Sequence, residues 1–140
     1  MIAIDSSILI DFIGNDSQAA DAADRALRRA LGQGPVVVCD VVVAEVVTGL
    51  GSGSMVVDAL EDLGIEFLPL EQRSAVRAGE MQRRYAERRR AAAQHTEPPR
   101  VVADFMIGAH ALLQCQGLIT RDAGFFRDYF KGLKVIVAKA

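Results

Sequence analysis

Five short runs of apolar, largely β-branched residues, each separated from the next by a stretch of helical character, constrain this chain more than any other feature. They are Met1 to Asp5, Val36 to Cys39, Ile65 to Leu68, Leu118 to Thr120 and Leu133 to Val137. Strands separated by helices do not pair as hairpins. They build a parallel sheet whose two faces the connecting helices cover. The expectation is a three-layer α/β/α fold with a central parallel five-stranded sheet, and 140 residues suit one domain spanning 1–140.

The connecting segments carry their own punctuation. Ser6 or Ser7 caps a helix through Ile8, Leu9, Phe12 and Ile13, and Asp16 with Ser17 caps a second from Gln18 to Leu31, ended by Gly32. Asp40 caps Val41 to Leu50; after the joint Gly51-Ser52-Gly53-Ser54, a helix from Met55 to Leu63 stops at Gly64. A long helix runs from Glu71 to about Ala93 with Ala78, Met81 and Tyr85 on one stripe. Arg100 to Gln116 is apolar on nearly every side, the mark of an interior helix, and a short aromatic helix lies around Phe125 to Phe130.

A 51% hydrophobic, 24% charged composition is that of a globular chain. The longest apolar run is broken by Asp40 and Glu45 and falls short of the ~18 residues of a membrane span. Asp5 and Asp11 stand where a signal peptide would be neutral or basic. Cys39 and Cys115 match no zinc-ligand spacing and read as small core residues, so a cytoplasmic protein without membrane attachment is expected.

Acidic residues carry the chemistry. Ligands of open parallel sheets gather beyond the carboxyl ends of the strands, where Asp5, Asp40 and Asp122 fall. Each alone is explained as a cap or turn residue, and Asp40 keeps that role. Glu45 and Asp104 differ, because each is the only charge inside a strongly apolar helical segment. A buried carboxylate demands a compensating cation or a shifted pKa. On the Asp104 face Gly108, Ala111 and Cys115 are all small, and Gly49 follows Glu45 by four residues; room for a ligand and close helix packing explain this equally well. If Asp5, Glu45, Asp104 and Asp122 converge, pairs about 4 Å apart repel by about 4 kcal/mol at an effective dielectric near 20. A hard divalent cation relieves this, and ligation by oxygen alone favours Mg2+ or Mn2+. Such ions activate water and clamp phosphodiester oxygens, which points to nucleic-acid hydrolysis.

The order Ile4-Asp5-Ser6-Ser7, Glu45 in an apolar helix, Ala103-Asp104 and Thr120-Arg121-Asp122 resembles the PIN-domain ribonucleases. Chain length and the early first aspartate look like the VapC toxins of toxin–antitoxin pairs. The resemblance spans the whole chain and implies a PIN-like fold and a Mg2+- or Mn2+-dependent endoribonuclease that leaves 5′-phosphate and 3′-hydroxyl ends. It also implies a homodimer and a small antitoxin whose tail reaches the acidic site. By position, Asp5, Glu45, Asp104 and Asp122 match the family's metal-binding quartet, Thr120 its hydroxyl residue before the last acid, and Ser6 a frequent hydroxyl after the first. A PIN-like module that binds RNA or protein without cleaving is the alternative, against which the intact quartet speaks. A phosphoacceptor domain would want an aspartate closing the third strand, where Leu68-Pro69-Leu70 stands.

Net charge is −2, yet between Arg73 and Arg100 eight arginines face three acids, a local +5 that leaves the remainder near −7. Arg73, Arg77, Arg84 and Arg88 fall within a ~60° arc at 100° per residue. That stripe suits RNA phosphates; a solvated helix with pairs such as Glu80 to Arg84, or a dimer contact, accounts for it too. His110 lies about 120° from Asp104 around its helix and reads as a core histidine. His95 reads as a surface residue, Asp11 and Asp128 as solvent-facing, the phenylalanines near 125–130 as packing, and Arg121 has no assigned role.

Overall fold

The computed structural model describes residues 1–14, 17–94 and 97–138, with the side chain of Ser17 also outside the description. Twelve elements follow one another there: β1 Ile2–Ile4, α1 Ser6–Ile13, α2 Ser17–Gln33, β2 Val36–Val38, α3 Asp40–Leu50, α4 Gly53–Leu63, β3 Glu66–Phe67, α5 Gln72–Ala91, α6 Val102–Gln114, β4 Gly117–Thr120, α7 Ala123–Tyr129 and β5 Val135–Val137. The strands form one parallel sheet in the order β3-β2-β1-β4-β5, flanked by the helices as expected of an α/β/α fold. Ile2 sits opposite both Val36 of β2 and Gly117 of β4, so β1 is the central strand.

This order contains a reversal. From β1 the chain adds β2 and β3 on one side, then crosses to add β4 and β5 on the other. The crevice between β1 and β4 is therefore the switch point, where loops leaving the strand ends diverge and open a site. Beneath it Ile4, Ile8, Leu9, Val36, Val38, Phe105, Leu118 and Ile119 are all buried. Phe105, Ile107, Ala109, His110 and Ala111 of α6 are buried too, in keeping with the apolar character of every side of that helix.

The caps differ from the sequence reading. Asp5, not Ser6 or Ser7, is the N-cap of α1, its carboxylate accepting from Ser6 N at 2.8 Å. Aspartate caps as well as serine does, and β1 ends one residue too early for the serines to serve. Cys39 occupies the N-cap of α3, leaving Asp40 in the first turn, where it favours the positive helix end and accepts from Leu70 N at 3.2 Å. Helix α2 continues past Gly32 to Gln33; the expected cap at Asp16 and the Ser17 side chain lies outside the described residues. Gly64 closes α4 at φ +73°, a left-handed conformation that suits glycine. Helix α6 starts at Val102, which leaves Arg100 outside the helix, ahead of it.

Candidate active site

Two residues at the ends of the central strands form the floor of the crevice. Asp5 follows β1 and is only 7% exposed; Thr120 ends β4 and is fully buried. Asp5 N donates to Ile119 O at 3.0 Å, extending the β1–β4 ladder by one bond and fixing where the Asp5 side chain emerges. Thr120 Oγ1 donates to Asp5 Oδ2 at 2.7 Å and itself accepts from Asp122 N at 3.0 Å. The hydroxyl thus joins the first acid to the backbone of the last. Oδ1 of Asp5 accepts from Ser6 N, and Ser7 Oγ stands 3.4 Å from Oδ2.

Glu45 comes from the middle of α3. Ser6 Oγ donates to its Oε1 at 3.0 Å while lying 3.4 Å from Asp5 Oδ1, so one hydroxyl connects carboxylates 40 positions apart in the chain. Asp104 projects from the first turn of α6, accepting from Val101 N at 3.3 Å. All three carboxyls are held above their ordinary proton affinity, chiefly by burial. For Asp5, hydrogen bonds from Thr120 and Ser6 oppose the shift and Asp104 adds to it. For Glu45, Ser6 opposes while Asp5 and Asp104 add. For Asp104, Val101 and Arg100 oppose and Asp122 adds. The quartet is one electrostatically coupled group drawn from four separate elements.

Arg100 answers part of that negative charge, whereas the sequence reading made it the end of a basic segment and the first residue of the interior helix. Its guanidinium pairs with Asp122, lies 4.3 Å from the Phe125 ring centroid and attracts Asp104. Its backbone N–H donates to Tyr85 Oη at 2.8 Å, tying the segment before α6 to α5. No local signal separates Arg100 from the helix, since Pro98-Pro99 restrict the residues before them and leave the following residue free to start one.

Other expectations resolve by packing. A Cβ on Gly108 would lie 2.2 Å from Phe130 Cε2, and one on Gly49 3.1 Å from Ile10 Cδ1; both small residues admit neighbouring side chains, not a ligand. Asp11 is buried rather than solvent-facing, because Arg121 Nε reaches it at 3.0 Å from the β4–α7 turn, which also gives Arg121 its role. Asp128 is exposed and 3.5 Å from Arg88. His110 is buried with Nε2 donating to Leu68 O at 2.9 Å, and burial pushes its pKa down; His95 lies outside the described residues. Phe125 and Tyr129 of α7 pack edge-on against Phe105, and Phe126 packs edge-on against Phe125. Of the four striped arginines, Arg77, Arg84 and Arg88 share one groove, whereas Arg73 pairs with Glu71 at 3.0 Å beside a different hollow. No Glu80–Arg84 ion pair is present among the described residues; Arg77 stands 3.8 Å from Glu80.

Among the described residues no three histidine, cysteine, aspartate or glutamate side chains are arranged as a ready-made metal-ligand set. The hydrogen bonds explain this spread, since Asp122 is turned to Arg100, Asp104 to the Val101 amide, and Glu45 to Ser6. The donors are nonetheless carboxylate oxygens throughout, the set that suits a hard divalent ion.

The family model of the PIN domain matches residues 2–131. This chain belongs to the PIN-domain family. Solved structures share its fold. The structure of VapBC2 from Rickettsia felis bound to a promoter DNA fragment matches with TM-score 0.69 at 16% identity, covering 99% of this chain and 100% of that one. FitAcB from Neisseria gonorrhoeae gives 0.63 at 22% identity, covering 97% and 96%. VapC20 of Mycobacterium tuberculosis, a sarcin-ricin loop cleaving toxin, gives 0.59 at 19% identity, covering 96% and 99%. Comparison with curated proteins yields no match.

Proposed function

We propose that this PIN-domain chain is a Mg2+- or Mn2+-dependent endoribonuclease and the toxin of a VapBC-type toxin–antitoxin pair. One observation carries the reading: the Ser6 hydroxyl links the carboxylates of Asp5 and Glu45, the Thr120 hydroxyl links Asp5 to the Asp122 backbone, and Asp104 lies near enough for its charge to act on Asp5 and Glu45. A fold built for stability alone would place apolar groups there. Solved relatives in fold include a toxin described as cleaving the sarcin-ricin loop, which supports RNA as the substrate class. Relatives solved as VapBC and FitAB complexes support a small antitoxin as partner. Among the described residues no helix is long and apolar enough to cross a membrane. A cytoplasmic site of action and a homodimer belong to the same proposed reading.

On this reading Asp5, Glu45, Asp104 and Asp122 hold the ion, which when bound supplies charge neutralisation at the phosphate and a more acidic water. The chain's own residues do the positioning. Thr120 fixes the rotamer of Asp5 from below, and Ser6 sets the separation between Asp5 and Glu45. Arg100, stacked on Phe125, directs positive charge into the mouth of the site, where it can meet a phosphate oxygen once Asp122 turns inward.

The test is cleavage of single-stranded RNA in Mg2+ or Mn2+ by the purified chain, against the Asp104→Asn variant. Loss of cleavage by at least ~100-fold, with the fold retained by circular dichroism, is the expected result. Cleavage that survives both this substitution and chelation would refute the metal-dependent reading.

A further inference from the structure

The acidic mouth repels a polyanion, so an RNA strand needs a positive surface outside it. A groove of about 500 Å3 between α5, α6 and α7 provides one. Arg77, Arg84, Arg88 and Lys131 line it against a single carboxylate, Asp128. Arg88 and Tyr129 also line a second hollow of about 280 Å3, whose wall includes Tyr85. Tyr85 Oη in turn accepts the backbone N–H of Arg100, whose guanidinium reaches Asp122. Groove, second hollow and carboxylates are thus joined through Tyr85, whose hydroxyl meets the Arg100 backbone, and the Arg100 guanidinium. Along α5 the 1.5 Å rise spaces Arg77, Arg84 and Arg88 over about 16 Å, a run of charge several nucleotides long.

We infer that this groove is the path of the single-stranded RNA backbone on its way to the carboxylates, with Arg84, Arg88 and Lys131 binding phosphates and Tyr129 forming the turn toward the site. The assignment rests on the ribonuclease reading and adds the surface that holds the substrate. An acidic peptide has the same charge but no need to lie in line with the acidic mouth; a substrate strand does.

Binding is measured by fluorescence anisotropy of a short labelled single-stranded RNA, with EDTA present to prevent cleavage, across a salt series. Arg84→Ala, Arg88→Ala and Lys131→Ala combined should weaken binding roughly tenfold at low salt. They should also flatten the log–log salt slope by about 2, at ~0.7 for each single-strand phosphate that the groove no longer neutralises. Arg84→Lys with Arg88→Lys, which keeps the charges, should preserve the slope. Removing the same charge from α2 with Arg25→Ala, Arg28→Ala and Arg29→Ala should leave binding nearly unchanged. Unaltered affinity and slope in the groove variant of a chain that cleaves RNA would overturn the path alone. So would equal weakening by the α2 variant, or a groove variant that loses only a poly-glutamate peptide. A parent chain that neither binds nor cleaves RNA would bring down the ribonuclease reading itself.

Discussion

Thr120 and Asp5 are joined by a 2.7 Å hydrogen bond across the two central strands, which ties the carboxyl-terminal part of the site to its amino-terminal part. Thr120 is fully buried, and its hydroxyl also satisfies the Asp122 amide. Thr120→Val keeps the shape but strips both bonds, and should cost about 1–3 kcal/mol in urea denaturation, whereas Thr120→Ser should cost less than half of that. Because the hydroxyl opposes the upward shift of Asp5, its loss raises that carboxyl's proton affinity further. The acid limb of a cleavage–pH profile should then move to higher pH in Thr120→Val and stay near its parental position in Thr120→Ser.

Glu45 and Asp104 give a stability prediction with a definite sign. Both carboxyls bind protons more tightly in the folded chain than in the unfolded one. Their contribution to stability is therefore present below the ordinary carboxylate pKa and is lost as pH rises through the folded value. Glu45→Gln should melt at a higher temperature than the parent at pH 7, by roughly 3 °C for each kcal/mol of repulsion relieved, with the difference shrinking toward pH 4. Thermal melts at the two pH values check it. Adding Mn2+ at pH 7 should raise the parent's Tm more than that of Glu45→Gln.

Gly108 marks where α6 accepts the ring of Phe130. Gly108→Ala places a methyl group inside that ring's volume and should destabilise the chain by about 1–3 kcal/mol. Combining it with Phe130→Leu should recover part of the loss, which a double-mutant cycle in urea would reveal as favourable coupling.

The Asp11–Arg121 pair fastens the turn that carries Asp122 to the helix that carries Ser6. Arg121→Ala leaves a buried carboxylate without its partner and should cost about 1 kcal/mol or more, while Asp11→Asn with Arg121→Ala should cost less than the single change. Cleavage should fall alongside stability in Arg121→Ala, since the turn holding Asp122 loosens.

Most of the architecture is legible in the sequence because local signals agree. The β-branched runs, the glycine at position 64 and the all-round apolar α6 each point to the element that forms. The acids of the site are legible for a different reason: Glu45 and Asp104 are costly where they stand, and that cost is visible without coordinates. What the sequence hides is long-range. Nothing near Asp11 announces Arg121, 110 positions away, so a buried aspartate reads as a surface one. Gly108 and Gly49 face side chains from distant elements, and only the fold decides between a cavity and a filled one. The separation of Arg73 from the other striped arginines depends likewise on where Glu71 and α7 lie.

The position of β1 between β2 and β4 has a consequence for the birth of the molecule. Strand β1 gains its second neighbour only through Gly117–Thr120, so during synthesis the central strand stays half-paired until β4 has left the ribosome. Nascent and prematurely ended chains lack the Thr120 anchor and Asp122, and on the proposed reading they are harmless to the RNA around them. On that reading, activity waits until β4 and the turn carrying Asp122 have been made.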